Sequence, residues 1–62
     1  MLVKDLIKYF SSYTRYSICY VDDVHNKVWW GMGNNPNTNV NDEEVIGIRH
    51  APKEIVIYIL GD

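Results

Sequence analysis

The segment Glu54-Ile55-Val56-Ile57-Tyr58-Ile59-Leu60 limits what this chain can fold into more than any other. From Ile55 to Ile59 every side chain is β-branched or aromatic, a composition that suits a pleated surface. In a strand, Ile55, Ile57 and Ile59 face one side while Val56, Tyr58 and Leu60 face the other. An antiparallel sheet with one solvated face alternates apolar and polar residues. This segment does not alternate, so both of its faces require cover.

The rest of the chain supplies the sheet. Tyr16, Ile18 and Tyr20 alternate with Ser17, Cys19 and Val21, and Val28-Trp29-Trp30-Gly31-Met32 reads as the returning strand of an antiparallel hairpin. Asp22 to Lys27 is the expected turn, with a loop of about four residues. Val45 to His50 and Glu54 to Leu60 form a second hairpin around Ala51-Pro52-Lys53, where Pro52 suits a turn because it cannot donate to a ladder. Upstream, Val3, Leu6, Ile7 and Phe10 lie on one stripe, which predicts a short helix too small to persist undocked. Ser11 and Ser12 are expected to end it, because their hydroxyls compete for backbone hydrogen bonds. Asp42-Glu43-Glu44 has the composition of a single helical turn. The expected architecture is one α+β domain over residues 1–62: a short N-terminal helix packed on a four-stranded antiparallel sheet made of two hairpins.

Between the hairpins runs Gly33 to Asn41, with five asparagines and no charge. Asparagine tolerates left-handed backbone and closes side-chain turns, so this is a loop. An uncharged loop of this length is costly to order without purpose. Asn35, Asn37 and Asn39 are therefore candidate recognition residues, beside the alternative that the segment is only a spacer.

With 62 residues, the domain buries little of its surface. Chains this small commonly add disulfides, a metal or a partner subunit, and the lone Cys19 excludes an internal disulfide. One short helix covers one face of the sheet. The second face, with Val56, Tyr58 and Leu60, or an edge strand is expected to lie against another copy of the chain or a target. The alternative is that the asparagine loop folds over it.

Six basic against eight acidic residues give a formal net charge of -2, with no basic excess to advertise nucleic acid. No apolar run approaches the ~20 residues of a membrane span. Met1 to Asp5 carries a charge pair where a signal peptide needs an apolar core. The expectation is a cytoplasmic protein that does not enter membranes.

Candidate chemistry is sparse. Cys19, His25 and His50 match no metal-ligand spacing, and no residues orient a Cys–His pair for catalysis. Asp22 and Asp23, adjacent on a turn, are expected to be hydrated and unsuited to acid–base work. Gly31-Met32-Gly33-Asn34-Asn35-Pro36 begins like a dinucleotide fingerprint but places proline where the pattern needs a helix start, so Gly31 is expected to mark a bulge or a close approach to the backbone. We therefore expect no enzyme and no cofactor or metal. Tyr16, Tyr20 and Trp30 on one sheet would stack bases, but the cations needed to neutralise a phosphate backbone are few, which disfavours nucleic acid. Trp29 and Trp30 point to opposite faces, so at most one enters the core and the other meets an interface or packs beneath the loop. Asp42, Glu43 and Glu44 either complement the helix-turn dipole or meet a basic surface on a partner.

The succession of the helix (Val3 to Phe10), Ile18-Cys19-Tyr20-Val21-Asp22, Trp30-Gly31, Glu44-Val45-Ile46-Gly47-Ile48 and Ile55-Val56-Ile57-Tyr58-Ile59 resembles small uncharacterised open reading frames of bacterial phages and mobile elements. That resemblance implies action on the host without chemistry, for example as an inhibitor of CRISPR or another defence system. It transfers no functional residue. Together these readings predict a homodimeric binding protein that occupies a host protein through Trp29 or Trp30, the asparagine loop and Asp42, Glu43 and Glu44. A small-ligand or nucleotide sponge with a pocket between subunits, and a nucleic-acid accessory protein, are the alternatives.

Overall fold

Period-two alternation from Arg15 onward produces β1 (Arg15–Tyr20), which pairs antiparallel with β2 (Asp23–Met32). The turn is tighter than expected: Tyr20 already pairs with Asp23, leaving only Val21-Asp22 between the strands. The surplus length is absorbed inside β2. Val24, His25 and Asn26 leave the ladder between Asp23 and Lys27, and Val28 is a further extra residue before Trp29. A bulge re-aims the side chains around it, and here both Val28 and Trp29 reach the core. The second hairpin follows expectation. β3 (Val45–His50) pairs antiparallel with β4 (Ile55–Ile59), and the Ala51 N–H donates to the Glu54 carbonyl at 2.9 Å across the turn.

The computed structural model, which describes residues 1–60, corrects the sheet's topology. The strand order is β2-β1-β4-β3, and β1 runs parallel to β4, with Tyr16 beside Ile55, Ile18 beside Ile57 and Tyr20 beside Ile59. The sheet is mixed, not wholly antiparallel. Hairpin signals fix only pairings within each hairpin. Parallel neighbours need a crossover, and the segment between β2 and β3 provides it by passing from one edge strand to the other.

That crossing takes place on the side of α1 (Val3–Ile7). The helix ends before Phe10, because Tyr9 and Phe10 donate to Leu6 and Ile7 three residues back, at 3.0 Å each, and tighten the chain. Leu2 at its N-terminus offers no side-chain cap. Instead the crossing segment satisfies the free donors: Val3 N–H reaches the Glu43 carbonyl at 2.9 Å and Lys4 N–H the Asn41 carbonyl at 3.1 Å. Asp42-Glu43-Glu44 is a turn and not a helical one; Leu2 bridges Glu44 and the Val45 N–H donates to Met1 at 2.9 Å. The loop thus has a structural task, which the spacer reading understated.

The core lies between α1 and the sheet: Val3 and Ile7 press on Tyr16, Ile18, Ile57 and Ile59. Phe10, although outside the helix, packs against Tyr16 with ring centroids 5.5 Å apart, and Val40 of the crossing segment joins the same cluster. Among the described residues no helix is long and apolar enough to cross a membrane.

Candidate functional site

Register assigns the opposite, helix-free face. Arg15, Ser17 and Cys19 of β1 share it with Lys27, Trp30 and Met32 of β2, Val56 and Tyr58 of β4, and Glu54 just before β4. This face is not a greasy plane. Ser17 and Cys19 are fully buried and Val56 is 4% exposed, although no element lies on top of them. They sit on the two interior strands, with Trp30 and Lys27 of β2 and Arg49 of β3 as their register neighbours on the outer strands. Much of the cover that the β4 sequence demanded is therefore provided laterally by the chain itself. Of Val56, Tyr58 and Leu60, the first is enclosed, the second half-buried and the third exposed.

A small polar network crosses this floor. Lys27 Nζ donates to Glu54 Oε1 at 2.7 Å, and Ser17 Oγ donates to the same oxygen at 3.3 Å. These bonds satisfy the buried Ser17 hydroxyl. The Lys27 hydrogen bond is the main reason the Glu54 carboxyl lies below the usual carboxylate range, with burial pulling the other way. A carboxyl lowered on folding stabilises the native state above its ordinary pKa, and that contribution is lost as pH falls through the native value. Glu54→Gln should therefore lower stability at pH 7 by about 0.5–1 kcal/mol, since the pair is only partly buried. Chemical denaturation from pH 7 down to 2 should show the two proteins converging below the carboxylate range; a constant gap would contradict the assignment.

The exposed relief on this face is Trp30, 65% exposed, and Met32, 60% exposed, on the edge strand. They border a shallow cleft of about 380 Å³ with Arg15, Tyr16, Gly31 and Glu54. Among the described residues Arg15 forms no ion pair. A second depression of about 280 Å³ at the same edge brings Asn35 and Asn37 to Trp29 and Trp30.

The expected site residues therefore separate into two groups. Trp30, Asn35 and Asn37 converge at the β2 edge, while Trp29 turns into the core. Asp42, Glu43 and Glu44 lie by the helix, where Asp42 pairs with Lys4 at 3.2 Å and Glu44 with the Met1 ammonium at 3.1 Å. Asn39 is exposed on the crossing segment. Sequence reasoning missed Arg15, Lys27, Met32 and Glu54. Hairpin pairing would have found two of them, because Arg15 opposite Met32 lies on the same face as Ser17 opposite Trp30.

Tyr16 and Tyr20 belong to the core face, so they are not displayed with Trp30 for base stacking. Burial raises the Tyr16 pKa, opposed in part by the hydrogen bond from Trp29. Burial likewise pushes the Cys19 thiol up against the pull of Lys27 and Arg49, which keeps it protonated and unreactive. Among the described residues no three His, Cys, Asp or Glu side chains converge as metal ligands.

Fold and site together define a helix-capped, mixed four-stranded α+β sheet with one open face. No family model, curated protein or solved structure matches the chain.

Proposed function

We propose that this chain is a non-enzymatic, homodimeric binding protein that modulates a host protein by occupying its surface. The observation that carries this reading is the placement of Trp30 and Met32, large apolar side chains held in solvent on an edge strand beside Arg15, which forms no ion pair among the described residues. Tryptophan and arginine are enriched among residues that dominate binding energy, and the core makes no use of Trp30. The phage or mobile-element setting, and a defence system as the target, rest on the resemblance of the sequence. Asp42 and Glu44 already have partners within the chain, which leaves the Trp30 end of the molecule as the main contact surface.

Capture from host cells with the wild-type chain and with Trp30→Ala tests this. The partner should be retained by the former and lost by the latter, while the melting curve of Trp30→Ala stays within about 0.5 kcal/mol of wild type, as expected for an exposed position. Undiminished capture by Trp30→Ala would refute the assignment.

The cleft beside Arg15 favours one second reading, a small-ligand sponge. In a thermal-shift screen with nucleotides, a ligand at 100 times its Kd would stabilise the fold by about 2.7 kcal/mol. No shift with any nucleotide is the result expected if the surface serves a protein.

A further inference from the structure

β2 is an outer strand, and its free edge has a definite hydrogen-bonding pattern. Gly33, just past the strand with φ of 98°, donates its N–H to the Thr14 carbonyl at 2.8 Å, so this residue faces β1. Orientation alternates along an antiparallel ladder. Gly31 and Trp29 therefore also face β1, while Trp30 and Met32 direct their N–H and C=O groups away from the sheet. The stretch Val28-Trp29-Trp30-Gly31-Met32 carries no charge and no proline, the usual guards of an exposed edge. The other outer strand, β3, is different, because Met1 and Leu2 already occupy the approach to its first residues.

Charge at the two ends of β2 selects the occupant and its direction. Asp22 and Asp23 stand at the start of the strand, and Arg15 stands beside Met32 at its end. Among the described residues none of the three forms an ion pair. A second β2 laid antiparallel brings the acids of each copy to the arginine end of the other, twice over. A parallel arrangement sets acid against acid.

We propose that the free edge of β2 is the seam at which a second copy of this chain pairs, antiparallel and about a two-fold axis, continuing the two sheets into one. The inference rests on the homodimeric reading above and locates its interface. It moves the contact from the β4 face, where Val56 is already enclosed, to the β2 backbone. Side chains on the open face stay free in this arrangement, so each copy adds its Trp30 and Met32 to a single surface. Such a closed, isologous contact is the commonest symmetry for a homodimer.

Met32→Pro tests the seam directly. It removes an outward N–H and no bond to β1, a position where edge strands tolerate proline. Met32→Ala removes the side chain alone. Sedimentation across micromolar concentrations should give twice the mass of one chain for wild type and Met32→Ala. Met32→Pro should dissociate on the order of 100-fold more readily, through two lost seam hydrogen bonds and the ring's bulk, with its own melting transition kept. Amide exchange supplies a readout that needs no variant: the Trp30 and Met32 amides of wild type should be protected at high concentration and exchange freely on dilution. A wild-type chain that stays monomeric refutes both the seam and the homodimer. A dimer whose Trp30 and Met32 amides exchange freely, or a folded Met32→Pro that dimerises like wild type, refutes the seam and leaves the homodimer standing.

Discussion

Gly31→Ala should destabilise the protein by about 2–4 kcal/mol, a large share of the roughly 3–9 kcal/mol expected for a chain of this size. The methyl group would overlap the Cζ and Oη atoms of Tyr16, whose phenol lies across the glycine. Tyr16 has no easy retreat. It is buried at the core's edge and packed against Phe10 with ring centroids 5.5 Å apart. At Gly31 the sequence leaves a bulge and a close approach to the backbone both open; the structure shows the close approach, with the Tyr16 phenol as its occupant. Thermal melts of Gly31→Ala, Tyr16→Leu and the double variant check the mechanism. Shrinking Tyr16 should relieve the clash, so the double variant should lose less than the sum of the single losses. Strict additivity would show that the cost of Gly31→Ala lies elsewhere.

The second large effect is expected at Ile57. Ile57→Ala should cost about 2–5 kcal/mol and lower the melting temperature by tens of degrees. Ile57 is fully buried at the centre of β4, between Ile18 of β1 and Ile48 of β3. Ile48 is its cross-strand neighbour on an edge strand and is 46% exposed. Ile48→Ala should therefore cost less than about 1 kcal/mol, because little apolar area returns to water. Equal losses at the two positions would mean that β4 is not an interior strand.

The two isoleucines also show how much of the fold was readable. The sequence shows apolar character on both faces of β4, which predicts cover by a partner or by the asparagine loop. An interior strand explains much of it more simply. β1 and β3 flank β4, and Val56 is enclosed beside Ser17 and Arg49 without any layer above it. Which strands are interior depends on how the two hairpins meet, a non-local matter on which alternation within each hairpin is silent. The parallel β1–β4 pairing was missed for the same reason.

Local signals fared better where they described side chains than where they described backbone. Phe10 was assigned to the apolar stripe and does pack on the core, yet it lies beyond the helix. The first hairpin was recognised, but its turn moved to Val21-Asp22 because the excess residues bulged out of β2. The composition of the asparagine loop leaves a recognition segment and a spacer both open. Its Asn41 carbonyl, with that of Glu43 just beyond it, caps α1 while the segment crosses the sheet, and Asn35 and Asn37 reach the depression near Trp30. Of the candidate site, the solvent exposure of one tryptophan was foreseeable. The cation beside it follows from the hairpin register that sets Arg15 opposite Met32, which strand alternation alone does not show.

The proposed function places a partner contact at Trp30, an exposed side chain on the edge strand. The decisive measurement is calorimetric titration of the captured host protein with the wild-type chain and with Trp30→Ala. Loss of a contact that dominates an interface, worth about 2 kcal/mol, predicts affinity weaker by roughly 30-fold with the fold intact. Equal affinity of the two proteins would contradict it.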